Sequence, residues 1–196
     1  PNTLGNLKLN EKLLASFFQS VAARTAGFST VNLKMFTDIS AFFTIILMFI
    51  GGSSSSVAGG IKTTTFGTIV LTLIANLKGK EDVEVFKKRI PKICVSKAFT
   101  LLSISLILLI TITFLLVIVE GDKPFLDLFF EATSALATVG STRDVTPELS
   151  VLGKVIITFT MYIGKMGPLT LAITFVKRGK SSKGKYKYPE GKIIIG

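Results

Sequence analysis

Histidine is absent from this 196-residue chain, and cysteine occurs once, as Cys94. The missing histidine removes the commonest general base and metal ligand. One thiol cannot form an intrachain disulfide, so cysteine usage leaves the redox compartment open. There is no Asn-x-Ser/Thr sequon and no basic-then-apolar leader. No carboxylate pair, and no nucleophile beside a base, suggests catalysis. An enzyme is therefore not expected, nor a cofactor held by this chain. Pro1 opens a polar segment abruptly where Met would stand. The expectation is an excerpt from a longer protein.

What the chain does have is apolar length and positive charge. Hydrophobic residues make up 48%, mean hydropathy is +0.60, and the formal net charge is +11. A soluble domain of this size rarely combines those values, because its surface needs more polar residues. The charge is also segregated. Seven basic residues lie in 78–97 against Glu81, Asp82 and Glu84, and seven more in 177–192 against Glu190. Residues 120–150 instead carry six acids against Lys123 and Arg143. Basic segments beside apolar spans usually face the cytoplasm. Both basic runs abut membrane-length segments, so a nucleic-acid partner is not expected.

Residues 98–119 carry no charge and would span roughly 33 Å as a helix, enough for one bilayer crossing. A second candidate span, 151–176, contains Lys165 and a Gly-Lys-Met-Gly-Pro break. The third apolar region, 39–77, would measure roughly 58 Å against about 30 Å of hydrocarbon, so it must be broken or folded back. Segments 13–23 and 125–137 read as helices too short to span, either re-entrant or interfacial. They also resemble each other. FFQSVAARTAGFST at 17–30 pairs with FFEATSALATVGST at 129–142, within one residue of a period near 112. One topology satisfies these constraints, with 78–97 and the 177–196 tail cytoplasmic and 120–123 external. Residues 98–119 then rise, 125–137 dip inward, 138–142 climb back and 151–176 descend.

Each short helix ends in Thr-x-Gly: Thr25, Ala26 and Gly27, then Phe28; and Thr138, Val139 and Gly140, then Ser141. Bare backbone at membrane depth is tolerated only where protein buries it or where it lines a watery cavity. A carbonyl-lined ion filter is one such place, and glycine permits the torsions that aim successive carbonyls at one axis. The preceding helix points its partly negative end at the same centre. A plain glycine stop would explain one copy; two copies in matching contexts favour a filter binding K+ at the carbonyls of Thr25, Ala26, Gly27, Thr138, Val139 and Gly140.

With these residues in hand, the chain resembles the Ktr/Trk/HKT potassium-transporter superfamily, nearest its bacterial KtrB-type membrane subunit. The resemblance rests on ARTAGFST, GGSSSSVAGGIKTTTFG, ATSALATVGSTRDVTPELS and GKMGPLTL, in the family's order and over nearly the whole chain. It implies an all-α integral membrane fold of helix–pore loop–helix repeats with a broken intramembrane helix, part of a pseudo-fourfold pore. Residues 1–77 would be the third repeat's pore helix, filter loop and broken second helix. Residues 78–97 would be a cytoplasmic basic loop, 98–176 the fourth repeat, and 177–196 a basic cytoplasmic tail. The first two repeats would be a missing N-terminal half, so this chain alone should not close a pore. The family further implies potassium uptake across the bacterial plasma membrane, a homodimer of membrane subunits, and a cytoplasmic ring of nucleotide-binding regulatory subunits, so any nucleotide sits on a partner. Filter loops with one glycine each, Gly27 and Gly140, imply weaker discrimination between potassium and sodium. A sodium- or proton-coupled symporter on the same scaffold stays open, as does a non-conducting membrane assembly protein.

The stretch GGSSSSVAGGIKTTTFG admits three readings. A phosphate loop fails because Ile61 separates Gly60 from Lys62 and the context is membranous. A flexible linker belongs in water. The third reading is an intramembrane gate built of Gly51, Gly52, Ser53, Ser54, Ser55, Ser56, Gly59 and Gly60. Counted as helix, Gly51 lies roughly 20 Å below the outer face and Lys165 roughly 21 Å below it. Lys165 is then a candidate latch holding the loop, with snorkelling to the interface as the alternative. A basic residue there in the family supports the latch. Lys62 stays unassigned. Asp144 pairs with Arg143, draws cations to the outer mouth, or is an ordinary solvated loop residue.

Overall fold

The computed structural model describes residues 3–5, 7–53, 59–80, 82–85 and 87–167. Among the described residues six α-helices carry the fold: α1 (Leu9–Ala22), α2 (Asp38–Phe49), α3 (Thr63–Leu77), α4 (Lys92–Val119), α5 (Phe125–Leu136) and α6 (Val151–Met166). A two-residue hairpin, β1 (Glu84–Val85) with β2 (Lys88–Arg89), lies between α3 and α4. Its base is closed by Ile90 N–H donating to the Val83 carbonyl at 2.8 Å and by an Asp82–Arg89 ion pair at 2.9 Å.

Local sequence explains most helix ends. Thr37 caps α2 by accepting from Ser40 N–H, and Ser150 caps α6 by accepting from Gly153 N–H. Pro91 and Pro124 precede α4 and α5, where a missing N–H costs nothing. Glu120, buried at the end of α4, accepts from Ser150 N–H at 2.8 Å. A carboxylate there meets the positive end of α6. Helix α4 begins six residues before the apolar run of 98–119, so Lys92 and Lys97 form its first turns. Among the described residues it is the helix long and apolar enough to cross a membrane; α2 and α3 are apolar but shorter.

Helix α5 lies at the centre, packed against α2, α4 and α6, and every residue from Phe130 to Ala137 is buried. One apolar cluster joins α4, α5 and α6 through Leu116, Leu128, Leu136 and Ile157. A second joins α2 to α5 through Ala41, Ile45, Met48 and Phe130. Helix α1 is different. It buries only Gln19 and Ala22 and exposes Leu13, Leu14 and Phe17. The apolar region 39–77 breaks between α2 and α3, around the glycine-serine stretch.

The internal repeat survives in three dimensions. Past the short helices, Thr25 and Thr138, the 3-10 turns Leu33–Met35 and Thr146–Glu148, and the caps Thr37 and Ser150 all stand 113 residues apart. The preceding Phe-Phe pairs stand 112 apart, so one residue has been added between Glu131 and Gly140.

Close packing at Gly164 yields a stability test. A Cβ there would lie 2.2 Å from the Leu136 carbonyl oxygen, whereas one on Gly67 in α3 would meet nothing within 4 Å. Gly164→Ala should therefore destabilise the protein by about 1–3 kcal/mol, read as a lower thermal midpoint in detergent. Gly67→Ala should hold or raise that midpoint, by up to ~1 kcal/mol of helix propensity.

Candidate functional site

The two Thr-x-Gly loops share an unusual backbone. Thr25 and Gly27 have φ of 73° each, and Thr138 and Gly140 have φ of 56° and 86°. Neither Ala26 nor Val139 between them is left-handed. A β-branched residue at positive φ is strained by about 1–3 kcal/mol, so this pattern persists only where the surroundings impose it. In a strand successive carbonyls face opposite ways. Alternating hand instead gathers N–H groups on one side and leaves carbonyls on the other. The loops meet backbone to backbone, since a Cβ on Gly27 would fall 2.3 Å from the Val139 carbonyl oxygen. Glycine is required there by contact as well as by torsion.

Outside the contact lies an open depression of about 310 Å³, lined by Gly27, Ser29, Asn32, Gly140, Thr142 and Asp144 among others. Asp144 is exposed on its rim. Pairing of Arg143 with Asp144, one of the three sequence-derived options, is not what the fold adopts. Arg143 is 9% exposed and donates to Asp127 at 2.5 Å and to the Phe36 carbonyl at 3.1 Å, with Asp38 at 3.9 Å. Asp127 lies in the first turn of α5 and wins because the loop folds back over that helix. Arg143 thereby ties the Thr138 loop to the chain entering α2, a link between the two copies of the repeat.

Beneath the loops sits the neck of the glycine-serine stretch. Gly51 N–H donates to Ile61, Ile61 N–H to Phe49 and Thr63 N–H to Gly52, at 2.9, 3.2 and 3.1 Å. Gly59 N–H donates to Thr138 Oγ1 at 2.9 Å. A Cβ on Gly59 would lie 2.7 Å from the Ala137 carbonyl oxygen, and one on Gly51 would lie 2.3 Å from that of Gly59. The neck therefore presses on the end of α5 and touches the first residue of the Thr138 loop. Ser53 stands just past it, while Ser54, Ser55 and Ser56 lie outside the described residues. Below the neck, Lys62, Ser105 and Gly167 line a cavity of about 200 Å³.

Lys165 occupies the last turn of α6, exposed, directly after Gly164. Gly164 packs on Leu136, as Gly59 and Gly60 pack on Ala137. The neck and the final turn of α6 thus meet the same end of α5. Phe28 and Ser141 follow the two glycines, Phe28 exposed and Ser141 buried.

Sequence reading passed over two buried polar side chains, Gln19 on α1 and Glu131 on α5. Each stands directly after its Phe-Phe pair, and the repeat alignment was the signal that could have found them.

Comparison with known proteins places this architecture. Residues 2–185 match the family model described as TrkH, cation transport protein. The chain is 42% identical over its whole length to the Ktr system potassium uptake protein B of Bacillus subtilis, covering 43% of that protein. It is 40% identical to the protein of the same name from Vibrio alginolyticus, covering 42% of it. It is 36% identical over 99% of its length to the potassium/sodium uptake protein NtpJ of Enterococcus hirae, covering 44%. The chain thus spans less than half the length of these relatives. The crystal structure of the potassium transporter TrkH from Vibrio parahaemolyticus superposes with a TM-score of 0.72 at 19% identity, over 87% of this chain and 38% of that one. By family model, by relatives and by an all-α membrane-transporter fold, the chain belongs to the TrkH family of cation transport proteins.

Proposed function

We propose that this chain supplies two of the loops of a potassium-conducting filter and the gate beneath them. The observation that carries the proposal is the pair of matched left-handed Thr-x-Gly loops. They meet backbone to backbone at the carbonyl ends of two helices too short to span. Carbonyls of Thr25, Ala26, Gly27, Thr138, Val139 and Gly140 would replace water around K+, with Phe28 and Ser141 flanking them. Helix ends carrying partial negative charge would favour a cation there. Relatives named for potassium uptake support the choice of ion. The relative named for potassium and sodium uptake supports imperfect exclusion of sodium, and keeps sodium-coupled transport as the second reading.

In this reading the 51–60 loop, carrying Gly51, Gly52, Ser53, Ser54, Ser55, Ser56, Gly59 and Gly60, obstructs the path below the filter. Support comes from its Gly59–Thr138 hydrogen bond and from the backbone hydrogen bonds that join Gly51, Gly52, Ile61 and Thr63 at its neck. Lys165 would latch the loop from the last turn of α6. The complete protein would lie in the bacterial plasma membrane as a homodimer on a cytoplasmic nucleotide-binding ring, with the basic 78–97 segment and the tail toward that ring.

Radioactive rubidium uptake into liposomes holding the full-length protein tests both parts. Gly140→Ser places a side chain at φ 86° and should cut uptake about tenfold or more; uptake at the wild-type rate would sink the filter. Lys165→Ala, and deletion of residues 53–58, should raise uptake under conditions where the wild type is closed. Identical rates in all three proteins would remove the gate assignment.

A further inference from the structure

Helix α1 is inverted relative to a water-soluble amphipathic helix. It turns Leu13, Leu14 and Phe17 outward and spends one of its two buried positions on Gln19. Gln19 is 7% exposed, and its Oε1 accepts at 3.1 Å from Ser29 Oγ, whose hydroxyl is shared with the Val31 carbonyl at 2.5 Å, while Nε2 has no hydrogen-bond partner among the described residues. Ser29 stands two residues beyond Gly27 and lines the outer depression.

The fourth repeat has the same arrangement with a carboxylate. Glu131 follows its Phe-Phe pair as Gln19 does, and is 5% exposed. Its Oε1 accepts from Thr146 Oγ1, which is 3.0 Å from the hydroxyl of Thr142, while Oε2 has no hydrogen-bond partner among the described residues. Thr142 stands two residues beyond Gly140 and lines the same depression. In both repeats a buried polar group on the short helix reaches behind the loop and holds the hydroxyl-bearing segment just outside it. Burying a polar atom without a partner is costly. The same polar placement recurs at matched positions in the two repeats.

Resting on the filter reading above, we propose that Gln19 and Glu131 are positioning residues. Each acts through an acceptor oxygen to fix the outermost part of its loop, and so sets how well the site discriminates potassium from sodium. Ser29 and Thr142 are the groups held; Thr146 is the bridge in the fourth repeat. Carboxamide and carboxylate serve alike because each offers an oxygen to a hydroxyl donor.

The test uses the full-length transporter in liposomes and reads the ratio of rubidium to sodium uptake, apart from total rate. Glu131→Leu and Gln19→Leu should each lower that ratio about tenfold, the effect of one lost hydrogen bond. Glu131→Gln should restore most of the loss, which a charge role would not do, and Thr146→Val, which keeps the volume and removes the donor, should lower the ratio, which a packing role would not do. Where a leucine variant does not fold, Ser29→Ala and Thr146→Val remove the donors instead and should lower the ratio likewise. A wild-type ratio in the folded variants, or Glu131→Gln as damaging as Glu131→Leu, would overturn the proposal. Gly27→Ser and Gly140→Ser are measured beside them. If those leave the ratio unchanged, the filter reading fails; if they change it and the variants at Gln19 and Glu131 do not, only the positioning role fails.

Discussion

The buried carbonyl end of α5 is the constraint on which the rest of the structure depends. A helix that stops inside a protein leaves its last carbonyls without intrahelical donors, and where neighbouring elements cover them bulk water cannot serve them. Here the cover is made of backbone. Gly164 of α6 lies on Leu136, Gly59 and Gly60 lie on Ala137, and the Gly59 N–H reaches the side chain of Thr138. Any larger residue at Gly59 or Gly164 would push the neck or α6 off that end. Glycine thus does in this protein what bulky apolar side chains do in an ordinary core: it sets how closely elements approach.

The two repeats use this plan unequally. Helix α5 is enclosed by α2, α4 and α6, while α1 presents an open apolar face. Between them α2 packs against α5 and α3 against α4, and specific links add to this packing: the Gly27–Val139 backbone contact, the apolar cluster around Phe130, and Arg143 reaching to Phe36 and Asp38. Arg143 exchanges water for a carboxylate and a carbonyl, which requires both partners to stay in place. The outer faces of the two loops are therefore held by charge and hydrogen bonding, and their inner faces by close packing.

Much of this was legible in the sequence because length and repetition are strong signals. The excess length of 39–77 demanded a break, and the pliable residues lay where α2 and α3 separate. The Thr-x-Gly pair pointed to special backbone, and both loops have it. Other features were illegible for physical reasons. The hairpin at Glu84–Arg89 has only two residues per strand, too few for an alternating pattern. The helix beginning at Lys92 was hidden because lysine ends a hydropathy window without ending a helix. The partners of Arg143 could not be read from adjacency, since Asp127 is distant in sequence and close only after the loop folds back. Gln19 and Glu131 sat inside the quoted repeat, yet a polar residue in a short helix carries no mark of facing inward.

The single added residue between Glu131 and Gly140 bears on the history of the chain. Every landmark after the loop keeps a spacing of 113, and the Phe-Phe pairs before it keep 112. The insertion is absorbed at the end of a helix, where one more residue rotates the exit without disturbing the turn and cap downstream. Duplicated halves can in this way drift in length and composition while each still delivers its loop to a common axis. Likeness between the two copies is kept in the backbone of the loops, while their sequences differ at most other positions.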